Sequence, residues 1–296
     1  MKVTVCLICG NDRFTALPFG YDHEGQRLQG TRCRACGIIF LDPQLSDEQI
    51  TALYSKEYFE GDFRCGHTGS LFDDSTLADI TDMPLVGRIK EFEPGGVLLD
   101  IGCAGGAFMN SARASGFTVR GVEMSPDAAE LARKRFGLDV ITGDVHAGRF
   151  KDGEFDVVYL GDVIEHLPDP RRTFAEINRI MKPGALLAIA CPTQTNTLFS
   201  RLGFFAYSLL GKSVTVHMPP YHLFEYRPDS MHALMERTGF RIVQLDAGVI
   251  PPAEIAMRGS FVQKTGKKLM QYPNAALTRL TGKWGDRLNV FARKHG

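Results

Sequence analysis

What the chain lacks narrows its class first. No stretch of the 296 residues reaches the roughly 18 uninterrupted apolar positions that a membrane-spanning helix needs. The opening "MKVTVCLICG" has no basic segment leading into a long apolar core of the kind that directs secretion. Charge of either sign is not in excess: 34 Lys and Arg stand against 34 Asp and Glu, so no overall field draws the chain to nucleic acid or to an anionic membrane. Internal repeats and low-complexity tracts are missing too. These absences predict a soluble, cytoplasmic, globular protein, long enough for one large domain or two modest ones.

Cysteine is sparse but organised. Cys6 and Cys9 in "CLICG" and Cys33 and Cys36 in "CRACG" form two C-x2-C pairs, each followed by a glycine that relieves a tight turn. Two such turns supply four thiolates suited to a structural, tetrahedral Zn2+, and the stretch between them reads as a hairpin, "FTALPFGYD" then "HEGQRLQGTRC". A redox pair or idle cysteines is the competing interpretation. Cys65, Cys103 and Cys191 have no partner at ligand spacing and are expected to be core or turn residues. These features predict a zinc ribbon over 1–45 and a helical linker or cap over 46–96. Within the linker, Ser46 and Gln49 make a capping box, and a second helical stretch lies near "STLADITDMPLVGRIKEF".

From Val97 onward short apolar strands alternate with amphipathic helices: "VLLDI", "TVRGVE", "LDVIT", "FDVVYL" and "ALLAIACP" are separated by helical segments. Ser125 and Pro126 open one helix and Gly137 closes it. Such a pattern means α/β architecture, a parallel sheet covered on both faces, with ligands at the carboxyl ends of its strands. The turn after the first strand, "DIGCAGG", is rich in glycine but does not match the G-x-G-x-x-G of dinucleotide binders. Asp100, two residues before Gly102, would repel a pyrophosphate yet suit the cationic amino-acid end of S-adenosylmethionine. Glu123, about twenty residues on, can grip ribose hydroxyls in either case.

On these motifs the chain resembles class I S-adenosylmethionine-dependent methyltransferases that carry an N-terminal zinc ribbon. "DIGCAGG" is similar to the first family motif, with Ala104 in place of the commoner middle glycine; "GVEMSPDAAELAR", "GDV" and "FDVVYLGDVIEHLPDP" resemble the next three, and "HLFEYRPDSMHALMERTGF" the closing helix and strand. The resemblance implies a Rossmann-like seven-stranded sheet over 97–296 whose last strand, at 288–293, is inserted antiparallel. It also implies a cofactor site of Asp100, Gly102, Gly105, Glu123, Met124, Asp144, Val145 and Gly161, with Glu123 on the ribose and Asp144 near adenine. Asp144 can equally be a turn residue. Asp162, Glu165 and His166 can lie on the pocket floor or merely anchor their turn, and Tyr54, Tyr58 and Phe59 can cover the cofactor or pack on the sheet.

A long insertion, about 192–227, is expected to be a lid. Leu198, Leu202, Phe205 and Leu209 share a helical face, widened by Phe199, Phe204 and Leu210. Packing on the domain is the expectation, with shielding of a greasy substrate or peripheral membrane or lipid contact through 197–211 as alternatives. His217, Tyr221, His222 and Glu225 crowd its exit. His222 is the preferred catalytic base, with Glu225 one helical turn on to orient it, and His166 is the second candidate. The expected function is methyl transfer to a small-molecule acceptor such as a sugar, secondary-metabolite or lipid intermediate. The rivals are an RNA methyltransferase and a non-catalytic S-adenosylmethionine-binding regulator. Nucleic acid is not expected as a partner, because the first 45 residues carry five basic and four acidic side chains, too even for a phosphate-tracking surface.

Overall fold

The computed structural model describes residues 2–53, 83–250 and 261–296. Tyr54, Tyr58, Phe59, Cys65 and the start of the second linker helix lie outside the described residues. The chain builds two sheets, one of seven strands and one of five.

The larger sheet begins with β4 (Gly96–Ile101), β5 (Phe117–Glu123), β6 (Val140–Thr142), β7 (Phe155–Gly161) and β8 (Met181–Pro192), all parallel. Helices α2 (Pro84–Phe92), α3 (Ala107–Ala114), α4 (Pro126–Phe136) and α5 (Pro170–Ile180) precede or join them. The limits of α4 follow the sequence signals: the Ser125 side chain accepts the Ala128 N–H, Pro126 opens the helix, and Gly137 closes it at φ 61°. After α7 (Pro228–Arg237) come β11 (Phe240–Gly248), α8 (Phe261–Thr281) and β12 (Arg287–Lys294). The order is β11-β12-β8-β7-β4-β5-β6, and β12 runs antiparallel between β8 and β11. The inserted last strand is therefore present, one residue longer at each end than expected. Helix α8, 21 residues long, was not anticipated by the sequence pattern, which Gly266 and Pro273 interrupt.

Strand pleating sorts the core into two layers. Leu98, Val157 and Leu186 face Val86 and Ile89 of α2, Met109 of α3 and Ala129 and Ala132 of α4. Their neighbours Leu99, Val158 and Leu187 face Phe174 and Ile177 of α5 and Met231 and Leu234 of α7. That second layer does not stop at the helices. It continues into Ile8, Leu28, Cys33 and Phe40 of the N-terminal segment, so ribbon and sheet share one core.

The N-terminal hairpin is β1 (Phe14–His23) with β2 (Gln26–Cys33), extended by β3 (Ile39–Asp42). The predicted capping box holds at α1 (Asp47–Leu53): the Ser46 N–H donates to Gln49 Oε1, and the Gln49 N–H donates to Ser46 Oγ. The insertion contributes α6 (Leu198–Leu209), β9 (Val214–Val216) and β10 (Phe224–Glu225). The five-stranded sheet reads β10-β3-β2-β1-β9. Thus both strands of the expected lid pair with the outer edges of the N-terminal hairpin unit, one on each side.

Packing fails as the account of α6. None of its residues is buried, and Leu202 (55%), Phe205 (69%) and Leu209 (77%) stand exposed on the face expected to meet the domain. Phe204, stacked on Phe19 of β1 with ring centroids 5.4 Å apart, is its attachment to the ribbon.

Candidate active site

The parallel strands end together on one edge, and the candidate residues gather there in two groups. The first follows from two adjacent strand ends. After β4 the chain turns through Gly102–Gly106. Gly102 has φ 73°, and a Cβ there would sit 2.4 Å from Val163; Gly106 has φ 81°, and a Cβ would press on Leu138 and Ala132. Ala104 takes φ 46° without being glycine. Its N–H donates to Glu123 Oε2 at 2.8 Å, while the Ser125 N–H donates to Glu123 Oε1 at 2.8 Å. Glu123 thus ties the turn to the end of β5 and keeps further lone pairs on each oxygen for a ligand.

Burial raises the Glu123 carboxyl above its ordinary range against the pull of these N–H groups. Asp100, at the end of β4, is pushed up further, by burial first and by the Glu123 charge second. Two buried acids side by side hold one excess of negative charge, a site for a cationic or hydroxyl-rich ligand rather than for a pyrophosphate. Gly105 and Val145 are buried beside this edge, Gly161 ends β7, and Met124 is exposed at its rim. Asp144 is exposed, and its Oδ1 accepts the Ala147 N–H at 2.9 Å, so it does shape a turn.

The second group is assembled from distant segments. A 3-10 turn after β7, Ile164–His166, carries Glu165 and His166. His166 Nδ1 lies 2.7 Å from the Tyr221 carbonyl oxygen, which places the proton on Nδ1. The His222 ring meets the His166 ring edge to face at 5.0 Å. Burial lowers both imidazoles below the usual histidine range, His222 to about 3, where the adjoining His166 ring and the Arg287 charge add to the effect. His222 is fixed by its neighbour: the Leu223 N–H donates to the Glu165 carbonyl and its own carbonyl accepts the Leu41 N–H, so the segment is stitched between the 3-10 turn and β3.

Glu225 does not orient His222. The segment is not helical, Glu225 lies in β10, and its carboxylate takes the Thr195 N–H at 3.2 Å. His217 is exposed and lies away from this group. Arg287, at the start of β12, pairs with Asp162 at 2.7 Å. Nothing in the sequence pointed to Arg287, because only the inserted strand brings it within reach of a residue 125 positions earlier. Asn274 and Thr278, on the buried face of α8, carry side-chain polar atoms without hydrogen-bond partners among the described residues, and were also missed.

The four N-terminal cysteines form a separate cluster. Their sulfurs all lie within 4.8 Å of one another, with Cys6 and Cys36 at 3.7 Å and Cys9 and Cys33 at 3.5 Å. Four sulfurs on one Zn2+ with bonds of about 2.3 Å would be about 3.8 Å apart, so the donor set fits that ion. The Cys36 hydrogen bond lowers the Cys6 thiol to about 5, while the same hydrogen bond and burial raise Cys36 and burial raises Cys33, so four thiolates would form only with a cation among them.

Comparison with known proteins agrees with this architecture. A family profile described as a methyltransferase domain matches residues 77–245. The 2-methyl-6-phytyl-1,4-hydroquinone methyltransferase of Synechocystis sp. is 33% identical over 145 residues, 45% of this chain and 46% of that protein. The ubiquinone biosynthesis O-methyltransferase of Aromatoleum aromaticum is 26% identical over 158 residues, 50% of this chain and 65% of that one. The phosphoethanolamine N-methyltransferase 2 of Caenorhabditis elegans is 24% identical over 72% of this chain and 48% of its own length. The chain therefore spans about half to two thirds of the length of these curated relatives. Among solved structures, a SAM-dependent methyltransferase from Archaeoglobus fulgidus superposes with a TM-score of 0.50 at 20% identity, covering 76% of this chain and 98% of that one. The sheet order with its inserted antiparallel strand, the glycine turn backed by a buried acid, and the match across more than half of the residues together make this chain a member of the methyltransferase-domain family.

Proposed function

We propose that the protein transfers a methyl group from S-adenosylmethionine to a small, largely apolar acceptor that carries a hydroxyl. The observation that carries the cofactor assignment is Glu123, a buried acid at the end of the second parallel strand, tied by Ala104 to the glycine turn and retaining lone pairs for a diol. S-adenosylmethionine supplies an already activated methyl on a sulfonium. In this proposal Asp100 with Gly102 and Gly105 faces its amino-acid end, Glu123 and Met124 the ribose, Asp144 and Val145 the adenine, and Gly161 leaves room at the floor. His222 and His166 are the catalytic groups on the acceptor side. Lowered by burial, both imidazoles meet the acceptor uncharged, as hydrogen-bond acceptors that orient its hydroxyl more than as strong bases. The remaining task is alignment of donor and acceptor in a closed space.

The names of two relatives, a 2-methyl-6-phytyl-1,4-hydroquinone methyltransferase and an O-methyltransferase of ubiquinone biosynthesis, support an acceptor with both a hydroxyl and apolar bulk. So does the exposed face of α6, where Leu202, Phe205, Leu209 and Leu210 lie between Arg201 and Lys212 with no acid from 197 to 213. This face suits an anionic lipid surface from which such an acceptor could be drawn. The four cysteines hold a structural zinc, closed to substrate because four thiolates leave no open coordination position.

The test is incubation of the full chain with methyl-labelled S-adenosylmethionine and fractionated cell extract. Label entering organic-soluble small molecules is expected. Label entering RNA or protein, or no label despite cofactor binding, overturns the assignment. Elemental analysis should return about one zinc per chain. Sedimentation with phosphatidylglycerol vesicles should be lost in Phe205→Glu if α6 meets lipid.

A further inference from the structure

The acceptor edge contains an imbalance that the proposed methyl transfer does not explain. Glu165 is 1% exposed, and neither carboxylate oxygen has a hydrogen-bond partner among the described residues. The two acids whose charges act on it are compensated, Asp162 by Arg287 and Glu225 by the Thr195 N–H. A buried carboxylate left alone is costly as an anion, so something positive or acidic is expected to meet it.

Arg287, engaged by Asp162, reaches Glu165 through its charge without a hydrogen bond, and the His166 imidazole stands beside the carboxylate. His166 Nδ1 meets the Tyr221 carbonyl, and its Nε2 lies 3.7 Å from Glu165 Oε1. That separation is too long for a hydrogen bond from a protonated carboxyl. His222 brings a second imidazole against the first. One donor atom from each of Glu165, His166 and His222 falls within 4.8 Å of the others. Two ligands on a tetrahedral ion with bonds of about 2.1 Å lie about 3.4 Å apart, so the side chains draw together by about an ångström to close the set. A ring whose other nitrogen donates to a backbone carbonyl is also how metal-bound histidines are usually oriented.

We propose that Glu165, His166 and His222 bind a divalent first-row transition cation on the acceptor side of the pocket. Two neutral imidazoles and one carboxylate suit Zn2+, Co2+, Mn2+ or Fe2+ rather than Ca2+, and three protein ligands leave positions open. This rests on the preceding proposal for the acceptor and revises how the two imidazoles act on it, through the cation rather than by direct contact: the cation would take the acceptor oxygen and lower its proton affinity. The O–H proton leaves to solvent, and the oxygen electron pair forms the new C–O bond. The C–S bond breaks with its pair going to sulfur, which becomes a neutral thioether. Acceptors with two adjacent oxygens, such as catechols or enol-ketones, would chelate best.

The experiment uses the full chain, first loaded with about one equivalent of Zn2+ by the four-cysteine stoichiometry, and then titrated with Co2+ alone. Calorimetry and visible absorption follow the metal, and S-adenosylmethionine affinity is measured on the same sample. The expected result is a further equivalent of Co2+ with weak ligand-field bands and no sulfur charge transfer. His222→Ala and the conservative Glu165→Gln should each weaken it by at least about tenfold while zinc content stays unchanged. A zinc-loaded chain that binds S-adenosylmethionine yet takes up no Co2+, or variants that bind Co2+ as tightly as the parent, overturn the site and leave the methyltransferase proposal standing. A chain that binds Co2+ through these residues but not S-adenosylmethionine keeps the site and overturns the cofactor assignment.

Discussion

The two halves of the pocket are built in opposite ways. The proposed cofactor edge comes from one stretch, 98–145, with Gly161 added at the end of β7; its key contact, Ala104 to Glu123, spans 19 residues. The acceptor edge joins the turn after β7, the exit of a long insertion and the start of the last strand, with contacts spanning 55 and 125 residues. The difference teaches that these two functions can be damaged separately. The cofactor edge answers to local backbone geometry, the acceptor edge to the assembly of the whole chain.

The harshest way to break the comparison is to remove the strand both edges depend on. Deleting residues 286–296 takes away Leu288, Val290 and Phe291, all buried, and strips the ladders of β8 and β11. That exceeds the whole stability of a typical domain, about 5–15 kcal/mol, so the variant should be insoluble or lack cooperative unfolding by circular dichroism. A soluble truncation that still binds S-adenosylmethionine would show that the cofactor edge needs no support from β12.

His222→Ala sharpens the contrast. Turnover should fall by about 10²- to 10⁴-fold with cofactor affinity nearly unchanged, as single-turnover kinetics and calorimetry would show. A matching loss of cofactor affinity would mean that the two edges are one unit. Glu123→Ala is the reciprocal change, expected to weaken cofactor binding by about 1–3 kcal/mol in calorimetry. Part of that loss is structural, since Ala104 and Ser125 lose their acceptor.

The smallest effect concerns the opposite end of the sheet. Burial works against ionisation of Asp156, but the Lys182 ammonium and the Val97 N–H outweigh it and hold the carboxyl below its ordinary 3.8. A lowered folded value means the stabilisation is complete above that pH and is lost as pH falls below it. With both side chains partly exposed the contribution is under about 1 kcal/mol, so Asp156→Asn should flatten acid unfolding only slightly below pH 3.8. Cofactor binding at neutral pH should not change.

The same contrast decides what could be read from the sequence. The glycine turn, Glu123, the capped helix α4 and the final strand were legible because each depends on residues adjacent in the chain or on a simple alternation. The four cysteines were legible for the same reason. Glu225 was assigned a helical partner because spacing assumes a helix, whereas pairing with β3 makes the segment extended. The apolar face of α6 is expected to pack because burial is the usual fate of such a stripe, yet the helix leaves that face exposed. Arg287 carried no signal, since only the tertiary arrangement brings it to Asp162.

The smaller sheet also dictates an order of events. Its central strands, β1 and β2, can pair as soon as the first 33 residues exist, but their unit stays open at both sides until β9 and β10 arrive nearly two hundred residues later. Until then a growing chain carries two bare strand edges, the surfaces most apt to pair with the wrong partner. Closing such distant contacts is slow, because the intervening loop must be ordered before any contact rewards it. The N-terminal unit, first to be made, is therefore among the last parts of the molecule to be finished, and a nascent chain halted before residue 214 should depend on chaperones far more than its composition suggests.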